Sequence, residues 1–131
     1  MFEHKIRVRY AETDQMGVVY YANFFIYFEE ARGAHLRSIG YPYSELEKKG
    51  YFAPVREAYC EYLVPAHYED TLAVKLRVEI VREASFKYIY EVLRDNKLIA
   101  RGYTVHVLVN KHLKPTRIPE KLRNAFRGGN L

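Results

Sequence analysis

The 131-residue chain predicts an α+β fold in which a long antiparallel sheet is wrapped over one central apolar helix. Two observations carry this expectation. Between residues 21 and 39 the apolar side chains are too dense, and the run too long, for a strand; beyond residue 53 they recur at every second position in successive runs. A helix inserted after a first strand and followed by consecutive strands is the pattern of a sheet with its helix on one face.

At the start, Phe2, His4, Ile6, Val8 and Tyr10 alternate with Glu3, Lys5, Arg7 and Arg9, which predicts a half-buried strand over residues 2–10. The helix follows from Tyr21 to Ile39, roughly 25 Å long at the standard rise. Its apolar set, from Phe24, Phe25, Ile26, Tyr27 and Phe28 to Ala31, Ala34, Leu36 and Ile39, buries more than one side near its start. Gly40 and Pro42 end it. Ser44-Glu45-Leu46-Glu47 matches a capping box, so a short second helix runs to about Lys49 and stops at Gly50.

From there the period is two. Residues 53–64 form a strand with Pro54 near its start, and Pro65 with Tyr68-Glu69-Asp70 makes the next bend. Leu72, Val74, Leu76, Val78 and Ile80 alternate with Ala73, Lys75, Arg77 and Glu79 in a long strand. Phe86, Tyr88, Tyr90 and Val92 mark another, and Asp95-Asn96 closes a tight hairpin into residues 98–110. Pro119 opens a final short helix through Phe126, and residues 127–131 are expected to fray. With no repeat or linker, the chain reads as a single domain over residues 1–131.

Between the first strand and the helix lies Tyr10-Ala-Glu-Thr-Asp14-Gln-Met-Gly17-Val-Val19-Tyr20-Tyr21-Ala-Asn23-Phe24, which delivers a carboxylate to the mouth of the helix. Asp14 can cap the helix or shape the turn, because its side-chain oxygen accepts orphan backbone N–H groups. Three neighbours point instead to a ligand: Gly17 lets backbone come close, Tyr20 and Tyr21 follow, and apolar residues continue behind them. The run Tyr10, Asp14, Gly17, Val19, Tyr20, Tyr21, Asn23 and then Glu29 to Arg32 resembles the signature of the hotdog-fold acyl-CoA thioesterases of the 4-hydroxybenzoyl-CoA thioesterase family. It looks closest to the branch associated with the bacterial Tol-Pal system. The likeness extends through Val81-Arg82-Glu83-Ala84-Ser85-Phe86 and Lys114-Pro115-Thr116-Arg117-Ile118-Pro119, and so covers nearly the whole chain. It implies a hotdog fold, an acyl-CoA substrate and Asp14 as the catalytic carboxylate. Many members of the Tol-Pal branch carry His where this chain has Tyr21, and the hydroxybenzoyl type has a basic residue in place of Ala84.

Hydrophobic residues make up 49% of the chain, enough for a core at this length. There is no run of about 18 apolar residues, and Met1 to Arg7 alternate in polarity where a signal peptide would have an apolar centre. The expectation is a cytoplasmic protein without stable membrane insertion. The lone Cys60 excludes an internal disulfide and reads as a small strand residue. A net charge of +5 and a pI near 9.3 favour polyanionic partners, the phosphates of coenzyme A among them.

Other chemistries lack their residues. Ser38, Ser44 and Ser85 lie in no Gly-x-Ser-x-Gly elbow, the five histidines form no His-x-x-x-His pair, and no glycine spacing suits a phosphate loop or dinucleotide fingerprint. No bound cofactor is implied. Thioester hydrolysis needs a base or nucleophile beside the carbonyl and donors for the developing oxyanion. Asp14 can deprotonate water or attack the carbonyl to give an anhydride, and backbone N–H groups from Val19 to Tyr21 at the helix start can serve as donors. Tyr21 offers its phenol and Asn23 its amide, to the substrate or to brace the turn. Tyr10, ending a strand on its apolar face, reads as pocket wall. Glu29 is a candidate supporting carboxylate, with pairing to Arg32 or Arg37 as the alternative. Arg82, Ser85 and Lys87 lie near the segment that the resemblance implies for coenzyme A binding.

Long, regular edge strands invite pairing with a second copy, so a homodimer or a dimer of dimers is expected. The site would then form at the interface, with the partner's strand around residues 55–62 as its facing wall and Arg56 meeting polar parts of the substrate. Two rivals remain. One is a basic, aromatic-rich nucleic-acid-binding module, for which 13 Tyr and 7 Phe would stack on bases, although the basic residues are scattered among acids. The other is a hotdog dehydratase, which would rely on a catalytic His that residues 10–24 lack.

Overall fold

The computed structural model describes residues 1–128. Strands β1 (Phe2–Arg7), β2 (Val55–Tyr62), β3 (Thr71–Ile80), β4 (Ser85–Arg94) and β5 (Lys97–Val107) form one antiparallel sheet in the order β1-β3-β4-β5-β2. The helices are α1 (Asn23–Ser38), α2 (Tyr43–Lys48) and α3 (Glu120–Gly128). Alternation decides which face is covered. Leu72, Val74, Leu76 and Val78 of β3 and Tyr88, Tyr90 and Val92 of β4 are fully buried, and α1 meets them with Phe24, Tyr27, Phe28, Ala31 and Leu36. Burying each large apolar side chain contributes about 1.5–3 kcal/mol, so α1 is held by packing more than by its modest helix propensity. Phe126 of α3 packs on Phe86 at 5.0 Å between ring centres and covers the other end of the same face. This sheet folded about one helix is the hotdog architecture.

One close approach sets the centre of the core. Phe28 stacks on Tyr90 with ring centres 4.1 Å apart, beside Gly102 of β5. A Cβ at Gly102 would lie 2.1 Å from the Tyr59 carbonyl oxygen and 3.0 Å from Phe28 Cε2, so only glycine lets β2 and the helix both approach there.

A polar chain runs through the same core. The buried Arg32 donates from Nε to the Tyr43 hydroxyl and from Nη1 to the Tyr90 hydroxyl, both at 3.0 Å. Tyr90 meets Thr104 Oγ1 at 2.6 Å, Thr104 meets His106 Nε2 at 2.8 Å, and His106 Nδ1 lies 3.1 Å from the Ala53 carbonyl. That carbonyl can only accept, so Nδ1 carries the proton and Nε2 accepts from Thr104. Thr104 then accepts from Tyr90, and Tyr90 from Arg32; the direction is fixed along the whole chain. Nearby, His35 Nδ1 lies 2.8 Å from the Tyr88 hydroxyl, while its buried Nε2 has no partner among the described residues. Burial pushes both imidazoles down to about 4, with the Arg32 cation adding to the effect at His106.

Several boundaries differ from the sequence reading. β1 ends at Arg7, and Tyr10 sits in a 3-10 turn, Tyr10–Glu12, 76% exposed rather than on the apolar face, because the chain turns to bury Glu12 instead. α1 starts at Asn23, two residues later than expected. Pro42, not Ser44, occupies the cap position of α2; its carbonyl accepts the Glu45 N–H at 2.9 Å, and the capping box does not form. Arg32 bonds to phenols and not to Glu29. Arg127 and Gly128, expected to fray, belong to α3, and residues 129–131 of that stretch lie outside the described residues.

Candidate active site at the start of the central helix

The loop between β1 and α1 folds back on itself. Thr13 bridges to Val19 and Val18 to His67. The Asp14 N–H donates to the Val18 carbonyl and the Gly17 N–H to the Asp14 carbonyl, each at 2.9 Å. Gly17 has φ +79°, which side-chain-bearing residues rarely adopt, and the reversal depends on it. Asp14 Oδ1 accepts the Met16 N–H at 2.8 Å, so the turn-shaping role is present. It occupies one oxygen. Oδ2 takes no donor among the described residues.

Asp14 borders a cleft of about 390 Å³ whose walls include Val19, Tyr21, Phe24, Tyr62, Leu63 and Pro65. Among the described residues lining it, Asp14 carries the only charged side chain. Tyr21, 60% exposed, sits with its ring 4.7 Å from that of Tyr20 and edge-on to Tyr62 at 6.3 Å. The Tyr62 hydroxyl donates to the Tyr21 carbonyl at 3.0 Å, and burial pushes this phenol up to about 12, so it stays a donor. Of the three backbone donors expected at the helix start, two are used: Val19 N–H bonds to Ala66 and Tyr20 N–H to Glu12. The Tyr21 N–H has no acceptor among the described residues. On the other side of the turn, Tyr10 and Gly17 border a second cleft, about 660 Å³, that also touches Asp14.

The Thioesterase-like superfamily profile matches residues 8–126. The chain belongs to the thioesterase-like superfamily. It is 36% identical to a hypothetical protein from Aquifex aeolicus of known crystal structure, covering 96% of this chain and 99% of that one with a TM-score of 0.92. The acyl-CoA thioesterase YbgC of Haemophilus influenzae is 28% identical over 95% of this chain and 93% of its own. The structure of a 1,4-dihydroxy-2-naphthoyl-CoA thioesterase from Synechocystis is 27% identical, covering 96% of this chain and 95% of that one, with a TM-score of 0.91.

In this thioesterase-like fold the remaining candidates divide between two ends. Val19 is buried beside Asp14, Tyr20 is exposed next to Tyr21, and Asn23 commits its amide to the Glu12 carbonyl at 2.9 Å. Arg56 is exposed at the start of β2, and Arg82 (exposed) and Ser85 (buried) flank the β3–β4 turn. That turn lies at the far end of β3 from Asp70, which bonds to Val8 beside the Asp14 loop. The ten residues of β3 span about 33 Å, so one protomer does not bring Arg56, Arg82 or Ser85 to Asp14. Burial pushes the Cys60 thiol up to about 11, so it is no thiolate nucleophile at neutral pH. Sequence reasoning missed Glu12 and Tyr62. Tyr62 was visible only as one more alternating aromatic, and Glu12 only as an acid three residues after Arg9.

Proposed function

We propose that this protein is an acyl-CoA thioesterase, hydrolysing a thioester to a carboxylic acid and free coenzyme A. The observation that carries it is Asp14, one oxygen fixed by the Met16 N–H and the other open, as the lone charge on an apolar cleft. The acyl group occupies the cleft. Asp14 either takes a proton from the attacking water or attacks the carbonyl itself. By either route a C–O bond forms and the C–S bond breaks as the tetrahedral intermediate collapses. With water as the nucleophile, the departing thiolate takes up the proton that Asp14 removed. With Asp14 as the nucleophile, water then cleaves the anhydride, freeing the carboxylic acid and Asp14 and releasing the proton that the thiolate takes up. The Tyr21 N–H, at the positive end of α1, is the donor offered to the oxyanion.

The working unit is a cytoplasmic homodimer, or a dimer of dimers, nearest to the Tol-Pal-associated branch of the family. β2 is an open edge eight residues long with Val55, Tyr59 and Tyr62 exposed. Antiparallel pairing of two such edges about a twofold axis sets the Arg56 end of one protomer beside the Tyr62 end of its partner. Arg56, and behind it Arg82 and Ser85, then meet the coenzyme A bound at the other protomer's Asp14. The nucleic-acid reading draws no support from the basic side chains, several of which are paired: Arg94 with Asp70, Arg101 with Glu61 and Arg117 with Glu83. The test is a thiol-release screen over short, long and aromatic acyl-CoAs with wild type and Asp14→Asn. The variant keeps the turn's hydrogen bond and loses the charge, and its kcat should fall about 100-fold or more. Near-normal turnover by Asp14→Asn would return Asp14 to turn shaping alone.

A further inference from the structure

Among the described residues Glu12 is the one buried carboxylate, and the reaction above makes no use of it. It stands two residues before Asp14. Its Oε1 accepts the Arg9 backbone N–H and the Tyr27 hydroxyl, both at 2.9 Å. Its Oε2 accepts Arg9 Nε at 3.0 Å, with Arg9 Nη2 at 2.9 Å. Burial by itself raises a carboxyl, yet the Arg9 amide, the Tyr27 phenol and the Arg9 guanidinium hold Glu12 below its ordinary value. A buried, ionised side chain is a poor device for stability alone, because a well-packed apolar one often does as well.

The main-chain carbonyl of Glu12 is occupied too. It accepts the Tyr20 N–H and the Asn23 Nδ2–H, each at 2.9 Å, from either side of Tyr21. The same residue therefore anchors the chain leading into Asp14, grips α1 through Tyr27, and holds both flanks of the Tyr21 amide. We infer that Glu12 is the positioning residue of the catalytic turn: its carboxylate, clamped by Arg9 and Tyr27, fixes the peptide whose carbonyl holds Tyr20 and Asn23, and between them Tyr21, on the cleft that Asp14 borders. This rests on Asp14 being the reacting carboxylate.

The test compares kcat, KM and melting temperature for Glu12→Gln, Tyr27→Phe, Asp14→Asn and the Glu12→Gln/Asp14→Asn double variant. Glutamine keeps the length but turns an NH2 donor against the Arg9 donors. Its kcat should fall about 10- to 100-fold, as for a small misplacement of reacting groups, with KM within about threefold of wild type. Tyr27→Phe removes one donor and keeps the ring, and should lower kcat by a smaller factor. In the double variant the residual rate should equal that of Asp14→Asn alone, because no reacting carboxylate remains to be positioned. Wild-type kcat in folded Glu12→Gln overturns the inference, as does a rate in the double variant that falls by the product of the two single losses. Should Glu12→Gln not fold, wild-type kcat in Tyr27→Phe overturns it. Full activity in Asp14→Asn is a separate pattern; it removes the reaction assignment, and the positioning role falls with it.

Discussion

Acidification from pH 6.5 to 4.5 should strip this protein of much of its stability, and the two core histidines set the size of the loss. His35 and His106 are each 1% exposed, and burial holds both imidazoles near 4 in the folded chain, against an ordinary 6.5. Between those values the unfolded chain binds more protons than the folded one, so stability rises with pH across the window and is lost as pH falls. Each pH unit below 6.5 costs about 1.4 kcal/mol per histidine, and two units acting on two histidines cost roughly 5 kcal/mol. Domains of this size are stable by only about 5–15 kcal/mol, so the effect should be visible without mutation. Glu12 and Asp70, both held below their ordinary carboxyl values, lose their contributions only at still lower pH, in the same direction. Urea unfolding followed by circular dichroism at half-unit steps from pH 7.5 to 4.5 would measure it. A stability that stays level to pH 4.5, or a native imidazole signal from His35 or His106 titrating near 6.5, would refute the reasoning.

Three further outcomes are expected. Tyr21→Phe should reduce kcat less than Asp14→Asn does in thiol-release assays, because it removes one hydroxyl and leaves the backbone donor and ring; an equal loss would make the phenol an essential catalytic group. Gly102→Ala should cost about 3 kcal/mol or more, seen as a melting temperature lower by about 10 °C, since the new Cβ would press on the Tyr59 carbonyl at 2.1 Å. Val55→Lys combined with Ala58→Lys, both on the open β2 edge, should give a folded monomer by sedimentation with little thioesterase activity. A fully active monomer would sink the shared-site arrangement and leave Asp14 untouched.

What was legible in the sequence is what local spacing controls. The alternation of Leu72 to Val78 and the Asp95-Asn96 turn, with φ +50° and +64° in the structure, are written within a few residues of chain. So is the Asp14 turn, whose Gly17 and Asx bond are local. Contacts between distant segments were not legible. Nothing in the order of residues says that Gly102 must vacate space for Phe28, that Arg32 will seek phenols in preference to a nearby glutamate, or that Tyr10 will leave the sheet so that Glu12 can be buried. The site shows the same division: Asp14 and Tyr21 share one cleft because they are neighbours in sequence. Antiparallel topology carries Arg56, Arg82 and Ser85 to the opposite end.

The close packing at Gly102 bears on how the strands find their alignment. Leu72, Val74, Leu76 and Val78 are so alike that sliding a neighbouring strand by two residues would leave the same face buried, and hydrophobicity alone would barely distinguish the two pairings. Tyr90 lies opposite Gly102, and Tyr88 opposite Thr104. A two-residue slide of β5 would put Ala100 or Thr104 in the notch beneath Phe28 and at the same stroke take the Thr104 hydroxyl away from Tyr90 and the His106 ring away from the Ala53 carbonyl. Steric and polar penalties thus coincide at one point of the sheet, and that point works as a key: many alignments can bury grease, but one alone also fits the lock.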